Sequence, residues 1–370
     1  MTQPSASSAN SALFLSPEAP VSGSGGGGLR SASLLEYLKQ HYQVQVAGFE
    51  LPHHSKSVAA RAWRNGWRFV RGAPPLLDRY SGFEAQLEPV LRERHYQVAV
   101  VEHFWCAPYA RALRPHCEQL VLDLHNIESE LARTHALAAE GVQRLLMSRF
   151  ASAYQRLERE WIPQYDLVLV TSDADRERVK HPNVLVYPNA LPVIARPAVE
   201  EHDCIVFSGN LEYHPNVEAV RWFHSAIWPR IRGKAEWRLI GRNPEAVARI
   251  VAGDDRIRVI GTVDDAVAAI AEAKVCVVPL RSGSGTRFKI LEAWAAARAV
   301  VSTSLGAEGL GAQPGEHLVI VDDPAKFAEA IVRLLNDSDE RRRLGESGRQ
   351  LYLDRFTWQA AWHALEMAGL

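Results

Sequence analysis

The sequence predicts an α/β protein of two Rossmann-like parallel-sheet domains facing a central cleft. Three observations lead there. Short apolar runs alternate with helical patterns along nearly the whole chain, the signature of β-α-β units. The 370 residues exceed what one core usually organises. A proline-bearing break, with Pro188, Pro192 and Pro197, interrupts the periodicity near the middle.

In the first half, Ala12–Leu15 reads as a strand, Ser33–His41 as a helix and Val44–Phe49 as a second strand. Val98–Glu102 and Leu120–Leu124 are further strands, and a long helical segment from about Ser129 to Trp161 precedes another at Leu167–Thr171. The second half repeats the scheme, with strands at Cys204–Ser208, Trp237–Ile240, Arg256–Ile260, Val275–Pro279, Val300–Thr303 and His317–Val321. Helices are expected around Val217–Trp228, Asp265–Ala271, Lys289–Ala296, Pro324–Leu335, Asp339–Tyr352 and Trp358–Met367. The implied organisation is an N-terminal domain at 11–190, a linker at 191–203, a C-terminal domain at 204–353, and a terminal helix at 354–370 crossing back.

Composition narrows the function. A formal net charge of −1 argues against a dedicated nucleic-acid binder, which normally carries a basic domain. Cys106, Cys117, Cys204 and Cys276 show no C-x-x-C spacing and read as buried thiols of a reducing compartment. No apolar run approaches 18 residues and the first 20 lack a basic n-region, so the expectation is a cytoplasmic chain. No histidine, cysteine or carboxylate spacing suggests a metal site, and no G-x-S-x-G motif occurs.

The stretch "VCVVPLRSGSGTRFKILEAWAAARAVVSTSLGAEGL" carries most of the chemistry. An apolar strand runs into Arg281–Arg287 and then a helix. Gly283 and Gly285 allow backbone N–H groups to approach a ligand, and the helix N-terminus adds partial positive charge, which together suit phosphate oxygens. Ser284 lies between them, Thr286 is placed to cap the helix, and Arg287 and Lys289 supply full charges for a pyrophosphate. Glu292, a turn further, could accept hydrogen bonds from vicinal ribose hydroxyls. The spacing fits neither a P-loop nor a G-x-G-x-x-G dinucleotide motif.

This segment resembles the donor-binding signature of family 4 glycosyltransferases of the GT-B fold. "FSGNLEYHPNVEAVRWFHSAIWPRI" is similar to the strand–loop–helix opening the C-terminal domain in a bacterial polysaccharide-type, group 1 branch. The resemblance is specific over about Ile205–Leu310 and architectural elsewhere. It implies a nucleotide-sugar donor, with Glu292 on the ribose and Gly283 to Thr286 beneath the diphosphate. It places Gly261, Thr262 and Val263 at the nucleobase, and Gly209 and Asn210 facing the sugar-phosphate. Two positions depart from the pattern. Ser284 stands where many members have an acidic residue, and "SGNLEYHPN" lacks the lysine many carry, for which Arg287 and Lys289 are substitutes.

In the N-terminal half, "LVLDLHNIESEL" sets His125 and Asn126 at a strand's carboxyl end, where open α/β sheets line their ligand crevices. His125 also resembles the family's histidine near the donor sugar. Asp123 could orient it or bond a backbone amide, and Glu128 with Ser129 reads as helix-capping chemistry. Glu308, between Gly306 and Gly309, is either a cleft residue or a solvated loop carboxylate. The run "SGSGGGG", with Gly25, Gly26, Gly27 and Gly28, falls where the family places a glycine-rich loop near donor and acceptor. Arg30 would stand at the following helix start, facing phosphate or solvent.

Arg61, Arg64, Arg68 and Arg71 recur at helical spacing beside Trp63, Trp67 and Val70, either a membrane-surface helix or a helix with core-facing tryptophans. The expectation is therefore a metal-independent glycosyltransferase, cytoplasmic or peripheral at the inner membrane face. It would use no cofactor beyond the nucleotide-sugar substrate and act on a glycan or lipid-linked acceptor. His125, Arg287 and Lys289 are its candidate catalytic residues. The rivals are a sugar-nucleotide epimerase of the same fold and a non-catalytic donor- or glycan-binding subunit.

Overall fold

A computed structural model describes residues 10–17, 26–51, 57–138, 140–282 and 287–370. The chain forms two compact units. The first comprises residues 1–188 with Trp362–Leu370, and the second Asn189–Ala361.

The first unit is built on a six-stranded sheet, β1 (Ser11–Leu15), β2 (Gln43–Ala47), β3 (Tyr96–Glu102), β4 (Cys117–Asp123), β5 (Leu167–Val170) and β6 (Val184–Val186). Every pairing is parallel and the order is β2-β1-β3-β4-β5-β6. β3, β4 and β5 are nearly continuous apolar runs because helices cover both faces of such a sheet. Each fully buried Val or Leu contributes roughly 1.5–3 kcal/mol, so these runs define the core. The order in which strands are added reverses between β1 and β3, and the carboxyl ends of those two strands flank the switch point of the sheet.

The helix Gly26–His41 begins well before the predicted Ser33 and takes Gly26 to Gly28 into its first turn, so these three glycines are not loop. Glycine is unfavourable inside a helix by about 1 kcal/mol, yet first-turn N–H groups lack an intrahelical partner in any case. Leu34, Leu35, Tyr37 and Leu38 bury one face of this helix and drive its formation. Gly25 lies outside the described residues. The predicted long helix is two helices, Glu128–Ala138 and Gly141–Trp161; Gly141, at φ 55°, takes a left-handed conformation that interrupts it. All four cysteines are free and buried.

The second unit repeats the architecture with β7 (His202–Ser208), β8 (Glu236–Ile240), β9 (Ile257–Gly261), β10 (Ala273–Val278), β11 (Ala299–Ser302) and β12 (Val319–Ile320). Its order is β12-β11-β10-β7-β8-β9, again all parallel, with the switch point between β7 and β10. Caps follow the sequence chemistry. Asp265 accepts from Ala268 N, and Asp323 from Ala325 N and Lys326 N ahead of Pro324 at the first helical position. Residues 189–201 run without helix or long strand, and Leu191 bonds backbone to backbone with Phe356 and Trp358.

Candidate functional site

At the switch point of the second unit, β7 ends in Ser208 and the chain turns through Gly209 and Asn210. Gly209 sits at φ 141° and Gly241, just after β8, at φ 145°. A Cβ on Gly241 would overlap the Gly209 carbonyl oxygen, so the two backbones meet only because residue 241 is glycine. Asn216, buried in the helix His214–Trp222, donates from Nδ2 to Asn210 O at 2.7 Å and fixes the turn. Asn243 Nδ2 donates to Asn210 Oδ1 at 3.2 Å.

The other side of the switch point is the helix Phe288–Ala295 after β10. Lys289 and Glu292 stand at i and i+3 and share one helix face. That face meets the β7 turn. Lys289 Nζ donates to Asn216 Oδ1 at 3.1 Å, and a Cβ on Gly209 would lie 2.9 Å from the same nitrogen. Ser208 Oγ donates to Glu292 Oε2 at 3.3 Å. Burial pushes the Lys289 ammonium down to about 8, against the raising effect of Glu292. Burial likewise raises the Glu292 carboxyl, held back by Lys289 and Ser208. Lys289 thus occupies, from another helix, ground beside the β7 turn where the sequence lacks a lysine.

Arg287 is the N-cap residue of this helix and makes no side-chain cap bond; the cap position is not Thr286. Its buried guanidinium donates from Nε to Leu305 O at 3.2 Å and lies 3.9 Å from Glu308 Oε2, so Glu308 is an exposed carboxylate drawn to Arg287. Ser282 donates to Glu218 at the other end of the loop. Between these anchors, Gly283, Ser284, Gly285 and Thr286 lie outside the described residues. Gly261 ends β9 at φ 83° and its carbonyl accepts from Gly241 N at 2.7 Å, with Thr262 exposed and Val263 half-buried.

The first unit holds a different constellation. Glu102 and Asp123 are register partners at the ends of β3 and β4, and both side chains are fully buried. His125 Nε2 lies 3.2 Å from Asp123 Oδ2 and 3.5 Å from Glu102 Oε1. Arg30 is 1% exposed, neither solvated nor at the helix start. Its Nε donates to both Asp123 oxygens at 3.0 Å, and a further nitrogen to the Tyr187 carbonyl. Asp123 therefore orients His125 and also pairs with a cation 93 residues away. The His103 ring lies against that of His125, tilted by 38° with centroids 3.8 Å apart. Burial lowers the His103 imidazole well below its usual value, with His125 adding to the effect.

A Cβ on Gly27 would lie 3.6 Å from His125 Nδ1, so the histidine faces the start of the Gly26–His41 helix. Asn126 is half-buried. Glu128 is buried, and burial with Glu158 nearby raises its carboxyl to about 7. Ser129 instead bonds Glu158, from its N–H at 2.9 Å and its hydroxyl at 2.5 Å. Sequence reading missed Ser208, Asn216, Gly241, Asn243, Glu102, His103 and the burial of Arg30. A strand-end pair in "VVEHF", parallel to that in "LDLHN", was the available signal for Glu102 and His103.

Two parallel six-stranded α/β sheets in separate units, each with its polar residues at the strand carboxyl ends, are the GT-B glycosyltransferase fold. Sucrose-phosphate synthase from Thermosynechococcus elongatus superposes with a TM-score of 0.71 over 97% of this chain and 98% of that one, at 18% identity. The Anabaena protein HepE, solved with UDP and glucose, gives 0.68 over 98% of this chain and 100% of that one, at 14% identity. Residues 202–337 match the family described as Glycosyl transferases group 1. Phosphatidyl-myo-inositol mannosyltransferase of Mycobacterium leprae is 35% identical over 126 residues, 32% of this chain and 33% of that protein. The matches thus span about a third of the length of the curated relatives, 37% and 33%.

Proposed function

We propose that the protein is a glycosyltransferase that takes a sugar from a nucleotide-sugar donor held by its C-terminal unit. The observation that carries this reading is the meeting of the Lys289–Glu292 helix face with the Ser208–Asn210 turn at a sheet switch point. Glu292 accepts from the ribose hydroxyls, and Lys289, Arg287 and the helix N-terminus face the diphosphate. In transfer, the bond from the anomeric carbon to the diphosphate oxygen breaks and the acceptor oxygen bonds to that carbon. The acceptor proton passes to a phosphate oxygen of the departing nucleoside diphosphate. Lys289 and Arg287 stabilise the negative charge that develops there, without a metal, and the anomeric configuration is retained. The mannosyltransferase relative and the UDP- and glucose-bound neighbour support a nucleoside diphosphate hexose as donor.

The acceptor is a glycan or lipid-linked glycan. Support for contact with a membrane surface comes from the helix Val58–Arg71, whose Trp63, Trp67 and Val70 are 72%, 49% and 68% exposed, with Arg71 4.6 Å above the Trp67 ring. No helix among the described residues is long and apolar enough to cross a membrane.

The test is a calorimetric screen of UDP-, GDP- and other nucleotide sugars, followed by turnover with acceptor extracts. One donor is expected to bind and be consumed, and Glu292→Ala to weaken it by about 10–100-fold, the loss of a hydrogen bond to a charged group. Unchanged affinity in Glu292→Ala removes the ribose assignment, and binding without consumption removes the transferase.

A further inference from the structure

Charge bookkeeping in the buried cluster of the first unit is complete except at one place. Arg30 and Asp123 neutralise each other through two 3.0 Å hydrogen bonds. Glu102 has two buried oxygens with no hydrogen-bond partner among the described residues, and His125 Nε2 lies 3.5 Å from one of them. That nitrogen is also buried and 3.2 Å from Asp123. If Nε2 carried only a lone pair, it would face two carboxylates lone pair to lone pair. Uncompensated buried charges are among the costliest features a fold can hold.

We infer that Glu102 is a positioning residue that, together with Asp123, holds His125 as an imidazolium with Nε2–H directed inward and Nδ1–H directed toward the start of the Gly26–His41 helix. The charges then sum to zero, two cations against two carboxylates. His125 Nδ1 makes no hydrogen bond among the described residues and faces Gly27, where only a hydrogen stands in the place of a side chain. His125 is thereby a fixed donor to an electronegative ligand atom, a hydroxyl or phosphate oxygen, and is not available as a general base. Burial opposes the imidazolium, but the two carboxylates outweigh it and raise the His125 midpoint.

The other ionisable groups around His125 agree with this state. His103, from the turn after β3, lies against the ring and stays neutral, since two adjacent imidazoles cannot both be charged without strong repulsion. Arg30 is held by Asp123, and the buried carboxyl of Glu128, on the Glu128–Ala138 helix, is raised to about 7 chiefly by burial, so its charge is disfavoured there. Glu102, Asp123 and His125 also have the donor types of a cation site, with atoms within 4.8 Å of one another. Both Asp123 oxygens already accept from Arg30, and a dication there would leave a surplus positive charge in a closed pocket.

The experiment is a ring-nitrogen NMR titration of the full chain labelled with 15N-histidine, with His125 assigned through His125→Asn. The native protein at pH 7.5 is expected to show the imidazolium pattern at His125. In Glu102→Gln the midpoint should fall by about one pH unit or more, the usual effect of removing an opposite charge at this range. Neutral His125 in the native chain, or an unmoved midpoint in Glu102→Gln, overturns the inference. So does tight binding of Zn²⁺ alone that Glu102→Gln abolishes, because a metal needs the Nε2 lone pair. Should Glu102→Gln not fold, the native spectrum still decides. The consequence for turnover rests on the transferase reading: in Glu102→Gln, kcat should fall as pH rises through the lowered midpoint while the donor KM stays near native. An imidazolium in a protein that consumes no donor defeats the transferase reading and leaves the charge assignment standing.

Discussion

The switch points of the two sheets solve the same problem in opposite ways. At β7 and β10, Lys289 and Glu292 are half-buried, each with its charge disfavoured by burial and each tied by one long or moderate hydrogen bond to Asn216 or Ser208. At β1, β3 and β4, Arg30, Asp123, Glu102 and His125 are shut away and answer one another. The first arrangement leaves charge for a ligand to complete. The second spends its charge internally and presents a single nitrogen. A site that binds a charged diphosphate must stay incomplete until the ligand arrives, whereas a site that orients one donor gains from being complete beforehand.

That contrast can be broken by experiment. The largest effect is expected from Arg30→Met, which leaves Asp123 buried without its cation. Removing one member of a buried pair costs about 3–5 kcal/mol, read as a lowered urea midpoint; a change below about 1 kcal/mol would mean that water or His125 compensates. Lys289→Met in the second unit should behave oppositely. It removes a cation whose burial is unfavourable, so the fold should lose little while donor affinity falls by about tenfold or more. Comparable stability losses in the two variants would erase the distinction drawn here.

A smaller effect is the pH dependence of stability carried by His125. Its folded midpoint is raised above the unfolded value of about 6.5. Its contribution is therefore fully present below about pH 6.5 and is lost as pH rises through the folded midpoint. The stability gap between the native chain and His125→Asn should be constant in acid and shrink on the alkaline side. A gap that widens with pH would mean the histidine is buried neutral. The smallest effect on stability is expected from Trp63→Ser with Trp67→Ser, within about 0.5 kcal/mol per site for surface positions. The same pair should abolish flotation with vesicles containing anionic lipid, and retained flotation would return the tryptophans to an ordinary solvated surface.

Much of this was legible beforehand. Apolar runs flanked by turns mark β3, β4, β7 and β10 because parallel strands are buried on both faces and tolerate nothing else. Arg287, Lys289 and Glu292 could be read together because they fall at the start of one helix, whose geometry is local. The start of the first helix was not, since glycine reads as a breaker and the force that extends the helix, Leu34 to Leu38 docking with Arg30 anchored to Asp123, acts from outside it. The helix split at Gly141 was missed because apolar periodicity continues across it.

The sequence by itself determined the alternation of strands and helices, the split into two α/β halves and the residue types gathered after β10. Hydrophobic periodicity and turn chemistry depend on near neighbours, so they are readable one window at a time. Only the tertiary structure decided the order of strands, and with it which distant residues meet. Parallel sheet order put Glu102 beside Asp123, set Lys289 against Asn216 and Gly209, and buried Arg30 against a carboxylate 93 positions away. Those pairings depend on crossovers between strands, and side-chain identity carries no record of them until the sheet has formed.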